Sequence, residues 1–135
     1  MIIVVCWQQI GYMMIIYVAG IQNIPGELIE AAKIDGANSL QLLKDVTLPM
    51  LMPTITVCTF LTLTNGFKLF DQNMALTDGG PGRLSQLLAL NIYDTMYGMT
   101  GWQGVGQAKA VIFFILVAII SLIQNKITTS KEVEG

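Results

Sequence analysis

Three long stretches without a charged residue limit the folds open to this 135-residue chain. They cover residues 1–21, 46–67 and 110–125. A helix rises about 1.5 Å per residue, so the first stretch is about 32 Å long and matches a bilayer core of about 30 Å. The third is only about 24 Å long, but flanking lysines can extend their charged ends toward the interface. The pattern predicts three membrane-spanning helices, over about 1–21, 49–67 and 108–127.

The composition agrees with a membrane protein and narrows the functions open to it. Charged residues make up 12% of the chain, against roughly 25% in soluble domains. A net charge of −2 without a basic cluster gives no electrostatic footprint for nucleic acid. The chain has no histidine, the commonest metal ligand and acid–base catalyst, and its two cysteines, Cys6 and Cys58, lie in apolar runs. We therefore expect no catalytic residues, metal site or cofactor, and two buried, unbridged thiols.

The polar segment 22–48 predicts two short helices joined by a glycine. Pro25 suits the first turn of a helix, where its missing N–H is not needed. Gly36 can end that helix in the left-handed conformation, and Asn38 or Ser39 can begin the second one.

Two prolines, Pro49 and Pro53, mark the start of the second apolar run. Proline is tolerated in a membrane helix when neighbouring groups satisfy the freed carbonyl. The pair therefore predicts a bent or tightened beginning to this helix.

The segment 68–107 combines a turn signal with a helical pattern. Residues 77–82 read Thr-Asp-Gly-Gly-Pro-Gly, a strong turn sequence. A phosphate-binding loop would require a following Gly-Lys-Ser/Thr, which is missing. Apolar residues then recur at roughly helical spacing: Leu84, Leu87, Leu88, Ile92 and Met96. They predict an amphipathic helix, either at the membrane surface or against the helix bundle.

A spaced motif in the segment 22–48 resembles a known family. The pattern is Glu-Ala-Ala, three residues, Gly, nine residues, then Ile-x-Leu-Pro, as in the cytoplasmic loop of ABC-importer permeases. Here it comprises Glu30, Ala31, Ala32, Gly36, Val46, Leu48 and Pro49. Val46 is the one departure. Residues 22–25, 76–82 and 106–110 are further similar to the carbohydrate-importer branch, the maltose-type F permeases.

The resemblance implies an all-α, polytopic membrane helix bundle, with short cytoplasmic coupling helices in the loop 22–48 and an extracytoplasmic loop 68–107. Such permeases have six or more spans, so the expectation is that residues 1–135 are the C-terminal portion of a type I ABC importer transmembrane domain. Lys33 and Lys131 are then expected on the cytoplasmic side and Gly80 outside.

The implied function is that of a permease subunit in the cell membrane, without ATPase motifs, that couples ATPase movement to the import of a sugar or oligosaccharide. The implied partners are ATP-binding subunits, a second permease subunit, an extracytoplasmic sugar-binding protein and membrane lipid. The coupling residues are expected to be Glu30, Ala31, Ala32, Asp35, Gly36, Leu48 and Pro49. Two alternatives stay open: a small membrane protein that does not transport, or a truncated permease remnant.

The second apolar run supplies a candidate substrate path. A sugar needs hydrogen-bonding groups at depth, because its hydroxyls lose water there. The resemblance implies sugar contacts on this span, and spacings of three or four residues place the candidates on one helical face. They are Thr59, Thr62, Asn65 and Gly66. The alternative is that the threonines bond to their own backbone and that Asn65 joins neighbouring helices.

Overall fold

The computed structural model describes residues 1–130, and every regular element in that range is a helix. The chain forms two compact units, each built from segments that are distant in sequence. One contains Met1–Trp7 and Thr62–Ile123, and the other contains Gln8–Leu61 together with the described residues from Gln124 onward. Lys131, expected on the side of the polar loop, lies outside the described residues.

Among the described residues, two helices are long and apolar enough to cross a membrane: α1, Ile2–Gln22, and α8, Gln103–Thr129. Both expose large apolar side chains along their length; Trp7 of α1 is 79% exposed and Phe114 of α8 is 72% exposed. Such surfaces suit lipid or a protein neighbour rather than water. Cys6 is also exposed, so the expectation of two buried thiols is wrong for this residue and holds for Cys58.

The second apolar run lies within a bent pair of helical segments that begins seven residues earlier, at Ser39. The first part runs from α3, Ser39–Gln41, through a π-helical turn, Leu42–Thr47, into α4, Leu48–Met50. The second part is α5, Met52–Phe67, and the two meet at an angle of 63°. Pro49 and Pro53 each lack a helix-stabilising N–H, and the π turn shifts the hydrogen-bond register, so two of the known causes of a kink coincide here. Counted as one span, this pair would be the third.

The segment between α5 and α8 is folded rather than an open loop. It contains α6, Phe70–Leu76, then α7, Leu88–Tyr93, and a π-helical turn, Asp94–Gly98. Leu90 and Ile92 are buried, which confirms an amphipathic helix packed against protein, but Leu84 lies before it and is 88% exposed. The helix α8 then begins at Gln103, earlier than the start near residue 108 predicted for the span.

Candidate functional site

The polar segment begins with α2, Gly26–Ile34, which Pro25 precedes. Glu27 in its first turn and Lys33 in its last turn both suit the helix dipole. Gly36 has φ +81°, as the sequence predicts. The N–H of Ala37 donates to the carbonyl of Ala32 at 3.0 Å, and that of Gly36 to the carbonyl of Lys33 at 3.1 Å. These two bonds form a Schellman motif, which ends the helix at a defined angle.

The next helix begins with a reciprocal cap at Asn38. Its side-chain oxygen accepts hydrogen bonds from the N–H groups of Leu40 and Gln41, both at 3.0 Å. The side-chain oxygen of Gln41 in turn accepts from the N–H of Asn38 at 2.9 Å. This capping box satisfies helix donors that would otherwise lack partners. The short link from residue 35 to 38 is therefore fixed at both ends.

The predicted coupling residues lie on the outside of this turn or at the bend after it. Glu30, Ala31, Asp35 and Gly36 are exposed, whereas Ala32 is half-buried. Leu48 is 47% exposed and Pro49 is half-buried; both belong to α4, next to the bend. Within residues 1–130, neither carboxylate of the turn, that of Glu30 or that of Asp35, makes an ion pair. The turn therefore presents two free carboxylates and exposed apolar side chains such as Ile34.

The four candidate substrate-path residues all lie on α5, and all four are exposed. In the described part of the chain, the side chains of Thr59, Thr62 and Asn65 make no hydrogen bond. Thr56 behaves differently, because its hydroxyl donates to the carbonyl of Met52 at 3.0 Å. A hydrogen bond from a threonine hydroxyl to its own helix backbone is therefore present at Thr56 but not at the candidates Thr59 and Thr62.

Gly66 lines a cavity of about 290 Å³ in the first compact unit. The other three candidates do not line it. Its walls come from the beginning of α1, the end of α5 with Leu69 just after it, and one residue before α7. They consist of Met1, Ile2, Val5, Cys6, Gly66, Leu69 and Leu87. The cavity is mainly apolar.

A polar network around Lys109 was not predicted from the sequence. The ammonium of Lys109, on α8, donates to the side-chain oxygen of Asn91 at 2.8 Å and to the hydroxyl of Thr95 at 2.9 Å. The amide of Asn91 donates to Gln86 at 3.0 Å, and Gln86 donates to Asp94. Two neutral amides therefore connect a cation to a carboxylate. The available signal was a lysine inside a largely apolar helix, which usually has a specific partner.

A second unpredicted residue is Asn73, which is fully buried on α6. Its amide nitrogen donates to the carbonyl of Ser85 at 2.8 Å and to the hydroxyl of Thr77 at 3.0 Å. Its side-chain oxygen accepts from the N–H of Leu87 at 2.8 Å. The side chain of Asn73 thus holds the glycine-rich turn and the residues just before α7 against α6. Nothing in the local sequence pattern distinguishes Asn73 from a surface asparagine.

Long helices with apolar exterior faces, joined through one rigid polar turn, define a multi-spanning helical membrane protein. The chain belongs to the family of binding-protein-dependent transport system inner membrane components, whose model matches residues 1–130. This membership confirms the resemblance stated from the motif, the all-α membrane fold and the membrane location. The family is described as a component of transport systems and not as an enzyme.

Curated relatives agree with this family. The chain is 53% identical over 134 residues to a probable starch degradation products transport system permease protein, AmyD, of Thermoanaerobacterium thermosulfurigenes, which covers 99% of this chain and 46% of the relative. It is 39% identical to the multiple sugar-binding transport system permease protein MsmF of Streptococcus mutans, covering 98% and 45%. A putative ABC transporter permease protein, ORF1, of Caldicellulosiruptor is 36% identical, covering 96% and 91%. The chain spans about half the length of the first two.

Proposed function

We propose that this chain is a membrane-spanning permease subunit of a binding-protein-dependent ABC importer for a sugar or oligosaccharide. The observation that carries the proposal is the rigid, exposed turn at Gly36, held by a Schellman motif and a capping box in a chain of this family. The printed names of relatives, for starch degradation products and multiple sugars, support the substrate class. The same comparisons give no support to a small membrane protein that does not transport.

The turn acts in this proposal as a lever for ATP-binding subunits. The short helix α2 can transmit a push only if its connection to the next helix is rigid. That connection, residues 35–38, is hydrogen-bonded at both ends. The small side chains of Ala31 and Ala32 allow a partner surface to approach the backbone of α2. Glu30 and Asp35 can pair with basic groups on that partner, while Leu48 and Pro49 pass the movement to the bend before α5. A second permease subunit and an external sugar-binding protein complete the assembly.

The proposed topology follows from the same assignment. The helices α1 and α8 and the part of the bent pair from residue 49 to residue 67 are the three spans, and they lie in membrane lipid. The loop 22–48 then faces the cytoplasm, and the folded segment between α5 and α8 faces the exterior.

The proposed sugar path runs along α5, past Thr59, Thr62, Asn65 and Gly66. Their exposure and the lack of local hydrogen bonds at the three polar side chains support this role, because a sugar that sheds water needs such groups. Mutation separates a path from a structural role. In Thr62→Val and Asn65→Leu, sugar uptake should fall at least several-fold while membrane level and basal ATP hydrolysis hold.

Thr56→Val is the matched control, since its hydroxyl is buried and bonded to the backbone. It should affect membrane level more than the uptake per molecule. If Thr62→Val and Asn65→Leu instead lower the protein level in proportion to uptake, the path along α5 has to be withdrawn.

The function as a whole is tested by uptake of labelled sugars into cells that carry the complete transporter, before and after deletion of the gene for this chain. We expect deletion to abolish uptake of at least one sugar or oligosaccharide and the restored gene to return it. Unchanged uptake of every sugar tested, with all partner subunits present, would reject the proposal.

A further inference from the structure

A close approach joins the end of α1 to the beginning of α5. A Cβ added to Gly20 would lie 2.5 Å from the Oγ1 of Thr54, 2.9 Å from its Cγ2 and 3.1 Å from its Cβ. Small residues allow the backbones of membrane helices to approach each other in this way. The two residues form what is called below the Gly20–Thr54 crossing, and any larger side chain at residue 20 would force the helices apart there.

The crossing lies on the packed faces of both helices. Along α1 and just after it, the buried and half-buried residues from the middle of the helix onward share one helical face: Met13, Ile16, Tyr17, Gly20 and Ile24. On the other side of the contact, Leu51 and Cys58 are buried three residues before and four residues after Thr54. The side chains of Tyr17 and Cys58 also interact across the two helices. The crossing therefore belongs to a longer antiparallel contact.

The coupling segment 22–48 leaves and re-enters the membrane helices beside this crossing. At its beginning, the N–H of Asn23 donates to the carbonyl of Ala19 at 3.2 Å. At its end, the N–H of Leu51 donates to the carbonyl of Thr47 at 3.0 Å, and the N–H of Ile55 donates to that of Leu51 at 2.9 Å. The backbone is thus hydrogen-bonded through the bend before α5. A displacement of the segment reaches both helices at the place where they touch.

We propose, on the basis of the function proposed above, that Gly20 is a positioning residue of the coupling. Its contact with Thr54 passes the movement of the turn at Gly36 into α1 as well as into α5, and the crossing stays closed while the turn moves. Coupling between distant sites is carried by packed side chains and rigid elements. Without the close contact, the bend at Pro49 and Pro53 would move α5 alone.

The first test compares Gly20→Ala with Gly11→Ala in the reconstituted transporter. Gly11 lies on the same helix, and its added Cβ meets nothing within 4 Å. The sugar supplied is a hydrolysate of starch, because one relative is named for starch degradation products. We expect Gly20→Ala to lose sugar-stimulated ATP hydrolysis several-fold while basal hydrolysis and the amount of assembled transporter hold. Gly11→Ala should keep all three, and a Gly20 that only supports the fold would lower all three together.

A second change in Thr54 shows whether the crossing itself is responsible. Thr54→Ala removes Oγ1 and Cγ2, the two atoms nearest to the added Cβ. In Gly20→Ala/Thr54→Ala the stimulation should therefore return for the most part. Gly20→Ala/Thr54→Val keeps both branches of the side chain and should not recover. Equal stimulation in the two double variants would overturn the proposal.

A disulfide tests whether the crossing stays closed. Cβ atoms in disulfides lie about 3.5–4.5 Å apart, and the Cβ positions of residues 20 and 54 are 3.1 Å apart, so a small shift admits the bond. Gly20→Cys/Thr54→Cys, in a background without Cys6 and Cys58, is oxidised and then reduced. Stimulation should be present in the oxidised protein. Its absence there would overturn the proposal, as would failure of the disulfide to form.

These experiments separate this inference from the proposed function. If the wild-type transporter is stimulated neither by the starch hydrolysate nor by any other sugar, the proposed function fails and the inference fails with it. If the wild type is stimulated and Gly20→Ala matches Gly11→Ala, only the role of the Gly20–Thr54 crossing is overturned.

Discussion

At the scale of single residues, the ammonium of Lys109 is held by oxygen atoms that carry no charge. Its partners are Asn91 and Thr95, and Thr95 is buried. Hydrogen bonds to a charged group contribute roughly 1.5–3 kcal/mol, and a buried partner left without its donor adds a desolvation cost. Lys109 is therefore a structural tie between α8 and the folded segment before it.

We predict that Lys109→Met lowers the free energy of unfolding by about 2 kcal/mol. Lys126→Met on the same helix is the control, because Lys126 is exposed and near the helix end. Thermal unfolding of the purified protein in detergent measures both. Equal melting temperatures for the two variants would show that the Lys109 contacts contribute nothing.

Residues with local partners and residues with distant partners differ in what the sequence could predict about them. Gly36 and Asn38 were predictable because their partners lie within five residues, so local spacing contains the whole interaction. Lys109 and Asn73 were not, because their partners lie up to 18 residues away and depend on how helices pack. Lys109 is one of the two lysines that flank the third apolar run, for which the sequence predicted an extension toward the interface, whereas the fold bonds its ammonium internally.

At the scale of elements, a close approach joins α8 to the π-helical turn Asp94–Gly98. A Cβ added to Gly106 would lie 2.3 Å from the Cγ of Met96 and 3.0 Å from its backbone N and Cα. This contact leaves room only for glycine. It explains why Gly106 lies inside α8 although glycine weakens helices. The apolar run did not predict this first part of α8, because the run begins only at residue 110.

We predict that Gly106→Ala destabilises the protein by about 1–3 kcal/mol, since the Met96 backbone would have to move. Gly104→Ala lies two residues earlier on the same helix, and its added Cβ meets nothing within 4 Å. Alanine is the better helix former by up to about 1 kcal/mol, so this control should be neutral or stabilising. Chemical unfolding in detergent compares them, and a Gly106→Ala variant as stable as Gly104→Ala would contradict the contact.

The bend before α5 was likewise predictable in part: its presence follows from the local sequence, whereas its geometry depends on tertiary packing. In the sequence, Pro49 and Pro53 predict a kink, and the structure has one. Its angle of 63° and the π-helical turn Leu42–Thr47 were not predictable, because they also depend on packing. Contacts between α2 and that π turn show that the two halves of the coupling segment fold against each other.

At the scale of the whole molecule, the order of apolar runs and one spaced motif were sufficient to identify the family. The cavity beside Gly66 was not predictable, because its walls come from three segments that are distant in sequence. The topology proposed here remains a prediction and places residue 33 inside and the turn before α7 outside.

Labelling of single cysteines in a background without Cys6 and Cys58 tests that topology. With a membrane-impermeant maleimide applied to intact cells, Leu84→Cys should react, because Leu84 is highly exposed in the outer segment. Lys33→Cys and Lys126→Cys should react only after the membrane is opened. Labelling of Lys33→Cys in intact cells, with Leu84→Cys protected, would reverse the topology and exclude the coupling role.

The central claim is that the turn at Gly36 transmits movement from an ATPase to the membrane helices, and one pair of glycines tests it directly. Gly36→Ala and Gly26→Ala both add a Cβ that meets nothing within 4 Å, but only Gly36 has a positive φ. An L-residue in that left-handed conformation costs roughly 1–2 kcal/mol, so the turn should change its angle. The measurement is sugar-stimulated ATP hydrolysis by the reconstituted transporter. We expect a several-fold loss of stimulation in Gly36→Ala and wild-type stimulation in Gly26→Ala; full stimulation in both variants would contradict the account.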